Sequence, residues 1–200
     1  MFNGIIEVVG AIRRIMPSGD GGARLEVHAG RFATQLHPGD SLAVDGICLT
    51  VVKKKGAHVA IDVSAETWRL TNLCERKPGS RVNLEMPLTA STLVSGHFVQ
   101  GHVEGVAKVL PWKIQGEDVR LCLRIPQKLV EACIPKGSIA LNGVSLTIAT
   151  LRSSRIEVAL IPYTLSHTNL GDLQPGQGIN VETDMIGRYV VSLVKKAYSC

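Results

Sequence analysis

Two histidines, His97 and His102, sit inside Gly96-His97-Phe98-Val99-Gln100-Gly101-His102-Val103-Glu104-Gly105, where glycine recurs before, between and after them. Five residues apart, they fall on opposite faces of a strand and about 140° apart on a helix. They are therefore poorly placed to chelate one metal ion, and no zinc site is expected. Glycines around a pair of imidazoles point instead to a ligand that the backbone approaches closely. A second set of polar groups lies in Ile47-Cys48-Leu49-Thr50-Val51-Val52. Strand alternation turns Leu49 and Val51 one way and Cys48 and Thr50 the other. Val144-Ser145-Leu146-Thr147-Ile148-Ala149 repeats the arrangement with Ser145 and Thr147. Either segment alone reads as an ordinary strand with a solvent-facing side. Together they read as two similar ligand grooves with small polar side chains on the non-core face.

The elements that position these groups are duplicated. A shift of 97 positions lays Ser41, Ala43, Gly46, Leu49 and Thr50 on Ser138, Ala140, Gly143, Leu146 and Thr147, with Asp45 on Asn142 and Cys48 on Ser145. The same shift lays Thr71, Asn72 and Leu73 on Thr168, Asn169 and Leu170, and Asn83 and Glu85 on Asn180 and Glu182. One constant offset over nearly half the chain indicates two copies of one domain. Asp45-Gly46 and Asn142-Gly143, each between apolar strand segments, are hairpin signals. Val59, Ile61 and Val63, with their counterparts Ile156, Val158 and Leu160, mark a core face of period two. The chain is therefore expected to be mostly β: two tandem homologous six-stranded Greek-key β-barrels plus a C-terminal α-helix. The expected bounds are residues 1–94, 95–183 and 184–200, with the boundary in the aperiodic stretch Met86 to Ser95. Asp184 can cap the last helix, on which Ile186, Tyr189, Val190, Leu193, Val194 and Ala197 share one face.

The 200 residues are 45% hydrophobic and only 4% aromatic, enough for real cores but biased toward strands and turns. No apolar run approaches the roughly 20 residues of a membrane span, and no leader pattern opens the chain, so a cytoplasmic location is expected. Cys48, Cys74, Cys122, Cys133 and Cys200 form no CxxC pair, so neither disulfides nor structural zinc are expected. The formal charge of +5 is spread along the chain, and its one run, Lys53-Lys54-Lys55-Gly56, falls where a hairpin turn is expected. Nucleic-acid binding is disfavoured because the exposed aromatics of a stacking platform are lacking.

Longer segments carry a family likeness. The opening MFNGIIE, the hairpins VDGICLTV and LNGVSLTI, and the stretches SGHFVQGHVEG, ETWRLTNL and IPYTLSHTNLG together resemble the riboflavin synthase family, in its trimeric two-barrel form. The resemblance covers essentially the whole chain. It departs from the family at Asn3, where Thr is usual, at Val94-Ser95-Gly96, which replaces a double glycine, and at Tyr163, which replaces a variable and often polar residue.

The resemblance implies an enzyme that uses neither cofactor nor metal. It would convert two molecules of 6,7-dimethyl-8-ribityllumazine into riboflavin and a pyrimidine by transfer of a four-carbon unit. Each barrel would hold one lumazine, and the productive site would pair the N-terminal barrel of one subunit with the C-terminal barrel of another in a homotrimer. An association with lumazine synthase is among its implications; nucleic acid and membrane are not. By motif, the first pocket would be Gly4, Ile5 and Ile6, then Cys48, Leu49 and Thr50, then Asp62, Val63, Ser64, Ala65, Glu66 and Thr67. The repeat offset would make the second Gly101, His102 and Val103, then Ser145, Leu146 and Thr147, then Ala159, Leu160, Ile161, Pro162, Tyr163 and Thr164. Lys136, whose counterpart is Gly39, would reach a ligand across the subunit boundary. His102 would be the acid/base with His97 in support, and Ser145, Cys48, Thr147 and Asp184 would activate a nucleophile or relay a proton. The rival from another class is a non-catalytic lumazine or flavin carrier of the antenna type, which shares the double barrel.

Overall fold

The computed structural model describes residues 1–115 and 118–198. The N-terminal half forms β1 (Val8–Pro17), β2 (Ala23–His28), β3 (Ser41–Val44), β4 (Ile47–Lys55), β5 (His58–Val63) and β6 (Arg81–Glu85). They close into a barrel in the order β1-β2-β5-β4-β3-β6, the last seam running from Val8↔Leu84 to Ala11↔Arg81. The C-terminal half forms β7 (Gly105–Val109), β8 (Lys113–Gln115), β9 (Asp118–Arg124), β10 (Ser138–Leu141), β11 (Val144–Arg152), β12 (Arg155–Leu160) and β13 (Gly178–Thr183). Here β12-β11-β10-β13-β7-β9 closes through the pairing of β12 with β9. The strand that is continuous in the first barrel as β1 is interrupted in the second at Pro111, which has no N–H for a ladder. Two short helices, α1 (Ala65–Leu70) and α2 (Pro162–His167), follow the fifth strand of each barrel, and α3 (Met185–Tyr198) ends the described chain.

The expected alternation holds where it matters. Val59, Ile61 and Val63 fill the first core and Ile156, Val158 and Leu160 the second. At the turns Asp45 and Gly46 have φ of 47° and 76°, Asn142 and Gly143 of 45° and 79°, the positive pair that a two-residue turn between right-twisted strands requires. Cys48, Cys74, Cys122 and Cys133 are free thiols; Cys200 lies outside the described residues. Among the described residues no helix is long and apolar enough to cross a membrane.

The barrels pack turn against turn. A Cβ on Gly46 would lie 2.5 Å from the Gly143 nitrogen, and one on Gly143 2.8 Å from the Gly46 nitrogen, so no side chain fits at either position. Around this contact lies a buried ring of amides. Asn72 Nδ2 donates to Asn142 Oδ1 at 3.1 Å, Asn169 Nδ2 to Asp45 Oδ1 at 2.7 Å, Asn83 Nδ2 to the Asn142 carbonyl and Asn180 Nδ2 to the Asp45 carbonyl. Strands β6 and β13 are buried on both faces for this reason: Val82 and Leu84 face their own core, Asn83 and Glu85 the junction. The ring is asymmetric at one place. Arg76 Nη2 donates to the fully buried Asp45 Oδ2 at 2.7 Å, whereas Asn142 is neutral and the counterpart of Arg76 is Leu173.

Candidate active site

Two extended segments leave the barrels and cross over. The first, Asn3-Gly4-Ile5, lies on the second barrel: the Ser145 amide donates to the Gly4 carbonyl at 2.8 Å. The second, Gln100-Gly101-His102, lies on the first barrel, where the Cys48 amide donates to the Gly101 carbonyl at 2.9 Å. The two straps are tied to each other by Phe2 and Val99, which exchange backbone hydrogen bonds at 2.7 and 3.1 Å. Gly4 and Gly101 have φ of 72° and 80°, and a Cβ on either would stand 2.6 Å from the Cβ of Ser145 or Cys48. Only glycine fits both the conformation and the space. Beyond the glycines, Ile6 packs against the second core and Val103 joins the first.

This crossing corrects the grouping expected from the repeat. Gly4, Ile5 and Ile6 belong with Ser145, Leu146 and Thr147, and Gly101, His102 and Val103 belong with Cys48, Leu49 and Thr50. Constant offset shows which residues are equivalent but not which barrel each strap covers, because the chain can exchange equivalent segments without changing the spacing.

Each strap is held by a carboxylate of the barrel that it leaves uncovered. Glu85 Oε1 accepts from the Asn3 amide at 2.7 Å and Oε2 from Gly4 at 3.1 Å. Glu182 Oε1 accepts from Gln100 at 2.7 Å, and Oε2 from Gly101 and His102, both at 2.9 Å. Burial pushes the Glu85 carboxyl up to about 7, against the pull of the Asn3, Ile5 and Gly4 amides. Burial also raises Glu182, opposed by the Gln100 amide and by the charge of Arg188. Sequence reasoning marked this pair only as repeat matches. The signal was present as polar residues in strands whose remaining positions are apolar, in Arg81-Val82-Asn83-Leu84-Glu85 and in Ile179-Asn180-Val181-Glu182.

A pH dependence of stability follows. An unfolded glutamate ionises near 4.5 and folded Glu85 near 7, so the folded chain binds the extra proton between those values. The stabilisation is present below about 4.5 and is lost as pH rises through about 7, up to about 3 kcal/mol. Glu85→Gln removes that titration. Urea unfolding of both proteins should show the variant gaining on the parent by about 2 to 3 kcal/mol between pH 5 and pH 8. A difference independent of pH would show that Glu85 does not titrate in this range.

Around Ser145 the structure gathers three expected residues. The Ser145 hydroxyl lies 2.7 Å from Nδ1 of the partly buried His97. His97 Nε2 is buried without a hydrogen-bond partner among the described residues. Burial holds the His97 pKa below its ordinary value, while the charge of Asp184 pulls it up. Asp184 also caps α3, accepting from the Ile186 amide at 2.9 Å. A neutral imidazole against a hydroxyl can take its proton, the arrangement of an activated nucleophile. His102 is placed elsewhere: its side chain is exposed on the strap over Cys48.

The other expected residues divide between the two barrels. Cys48 is half-buried, Thr50 exposed, and Leu49 turned into the core. Ser64 caps α1, its Oγ accepting from the Thr67 amide at 3.2 Å and donating to Thr67 Oγ1 at 3.0 Å. Val63 is a core residue, Ala65 and Glu66 are exposed, and both oxygens of Asp62 are taken by Arg24, at 2.6 and 2.8 Å. On the second barrel Thr147, Ala159, Ile161, Pro162 and Tyr163 are exposed and Thr164 half-buried, while Leu160 is core. The Tyr163 ring stacks on His167 with centroids 3.9 Å apart. Lys136 is exposed at φ of 67°, a conformation that its counterpart Gly39 adopts more readily.

Comparison with known proteins bears on the family and the fold. The family described as Lumazine binding domain matches twice, at residues 3–87 and 100–184. The chain is 38% identical over 196 residues to the riboflavin synthase of Schizosaccharomyces pombe, covering 98% of this chain and 94% of that one. It is 38% identical over 197 residues to the riboflavin synthase of Bacillus subtilis, covering 98% and 91%. Among solved structures it resembles LumP complexed with riboflavin, with a TM-score of 0.84 and 30% identity over 92% of this chain and 99% of the other. LumP complexed with 6,7-dimethyl-8-(1'-D-ribityl) lumazine gives 0.83 and 28%.

Proposed function

The chain belongs to the riboflavin synthase family, and from that premise we propose that it converts two 6,7-dimethyl-8-ribityllumazine molecules into riboflavin and 5-amino-6-ribitylamino-2,4-pyrimidinedione. The observation that carries the reading is the pair of equivalent contacts, each a strap glycine laid on a small polar residue, one at Cys48 and one at Ser145. A reaction between two identical heterocycles calls for two like sites. Backbone groups of the straps would pair with the heterocycle edge, and Ser64, Thr67 and Thr164 would meet ring or ribityl hydroxyls. Holding both rings in register supplies much of the rate, since well-oriented pairs gain roughly 7 to 11 kcal/mol. What remains is proton movement at the ring methyl groups and addition of a nucleophile. His97, with Ser145 at 2.7 Å, is the base for that addition, and His102 serves the other ring.

The productive pair is proposed to form between subunits, as the family likeness implies. The occasion for assembly is α3, whose Ile186, Tyr189, Val190, Leu193 and Val194 are all at least half exposed, a stripe too apolar to stay open on a monomer. The family likeness supports a homotrimer as the proposed assembly, with Lys136 proposed to reach across it. Sedimentation of the intact chain as a monomer at micromolar concentration would overturn that assembly.

The decisive assay incubates pure, metal-stripped protein with the lumazine and looks for riboflavin. A second reading, a non-catalytic carrier, draws on the likeness to LumP, whose solved complexes hold riboflavin and the lumazine. Pigment bound without riboflavin formed would favour the carrier.

Asp184 separates the roles of cap and catalyst. Asn caps a helix nearly as well as Asp but cannot accept a proton as a carboxylate does. Asp184→Asn should keep the melting temperature and assembly and lose at least about tenfold in turnover, roughly 1.4 kcal/mol of barrier. Unchanged turnover would reduce Asp184 to a cap.

A further inference from the structure

The two straps are alike where they meet the barrels and differ in what fastens them from behind. Asn3, in the first, is held by the chain that follows β6: its Nδ2 donates to the Leu93 carbonyl at 3.1 Å and its Oδ1 accepts from the Gly96 amide at 2.8 Å. Gln100, its equivalent in the second, is held by the chain that follows β13, and there the fastener is a cation. Arg188 Nη2 donates to Gln100 Oε1 at 2.6 Å. The guanidinium also lies 3.5 Å from Glu182 Oε1 and 3.9 Å from Glu104 Oε1, and Glu104 Oε1 in turn accepts from the amide and hydroxyl of Thr183. The counterpart of Arg188 is Ser91, so the first strap has no equivalent charge.

We propose that Arg188 is a positioning residue for the Cys48 groove: from the first turns of α3 it fixes Gln100 and Glu182, and through them the strap Gln100-Gly101-His102. Glu182 is 2% exposed and its two oxygens carry all three strap amides. A carboxyl so buried holds its charge poorly without a cation, and a protonated one offers the strap a weaker acceptor. Arg188 supplies that cation, and the same Nη2 bonds the strap side chain as well. The helix whose apolar face joins subunits in the function proposed above is thus fastened to the strap over the opposite barrel. The mechanical claim concerns the strap alone; only its catalytic consequence rests on that function.

The test is Arg188→Met in the full chain, with hydrogen exchange of the strap amides read by mass spectrometry. Amides 100–102 are expected to exchange roughly tenfold faster, the scale of a lost charge-assisted bond, while amides 3–5 keep their rate. Titration with riboflavin, followed by flavin fluorescence, should weaken roughly tenfold at one of two sites, and Arg188→Lys, which keeps the charge but not the reach and planarity of the guanidinium, should fall between. Both straps unchanged, or both quickened alike, would overturn the proposal. Should Arg188→Met fail to fold, Gln100→Ala removes the 2.6 Å bond from the strap side and is judged by the same comparison. A parent protein that forms no riboflavin would overturn the proposed activity and leave the strap comparison standing.

Discussion

Replacing His97 by Asn is expected to lower turnover by roughly two to four orders of magnitude, the range of a lost general base, while lumazine binding and the fold persist. Asn keeps a polar atom near the place of Nδ1, 2.7 Å from the Ser145 hydroxyl, but cannot take the proton. The partial burial that leaves His97 Nε2 without a partner among the described residues also keeps the imidazole neutral at pH 7, because its pKa is lowered. A lowered value means that protonation comes only at more acid pH, so parent turnover should hold through mildly acidic conditions and fall as pH drops through the His97 ionisation. The measurement is riboflavin formed per active site across pH 5 to 8, with bound pigment determined alongside. A variant within about threefold of the parent would take His97 out of the proton path.

Arg76→Leu should be strongly destabilising at the barrel junction. It leaves the Asp45 carboxylate, fully buried, without its cation, at a cost of about 3 to 5 kcal/mol and roughly 10 °C of melting temperature. The repeat supplies the rescue. The second barrel carries Asn142 and Leu173 at these positions, and Asn142 Nδ2 donates to Asn169 Oδ1 at 3.3 Å. The equivalent acceptor in the first barrel, Asn72 Oδ1, is buried without a partner among the described residues, because Asp45 has no N–H to give. Asp45→Asn combined with Arg76→Leu provides that donor and removes both charges. The double variant should therefore recover all but about 1 kcal/mol of the loss. Additive losses in the cycle would show that the pair is not coupled.

The sequence made the barrels legible because duplication lets each half confirm the other: Asp45-Gly46 means more with Asn142-Gly143 at the same offset. The polar faces at Cys48 and Ser145 were legible too, since strand alternation is local. What escaped is non-local. The crossing of the straps depends on Glu85 and Glu182 gripping backbone across the junction, and spacing carries no information about which barrel an equivalent segment covers. The partnership of His97 with Ser145 is hidden because 48 residues separate them. Asp184 is legible as a cap because the N–H from which it accepts lies only two residues away.

Because each strap serves the opposite barrel, neither repeat owns a whole groove. The chain has the topology of a swapped dimer whose two members have been joined end to end. A one-barrel ancestor with the same strap could complete its grooves only by exchanging arms with an identical copy, a partnership that dissolves on dilution. Fusion turned that encounter into an intramolecular one, at an effective concentration of order millimolar. It also removed the obligation to be symmetric. Cys48 against Ser145, Gly39 against Lys136, and Asp45 with Arg76 against Asn142 with Leu173 are differences that two copies of one gene product could never have kept apart.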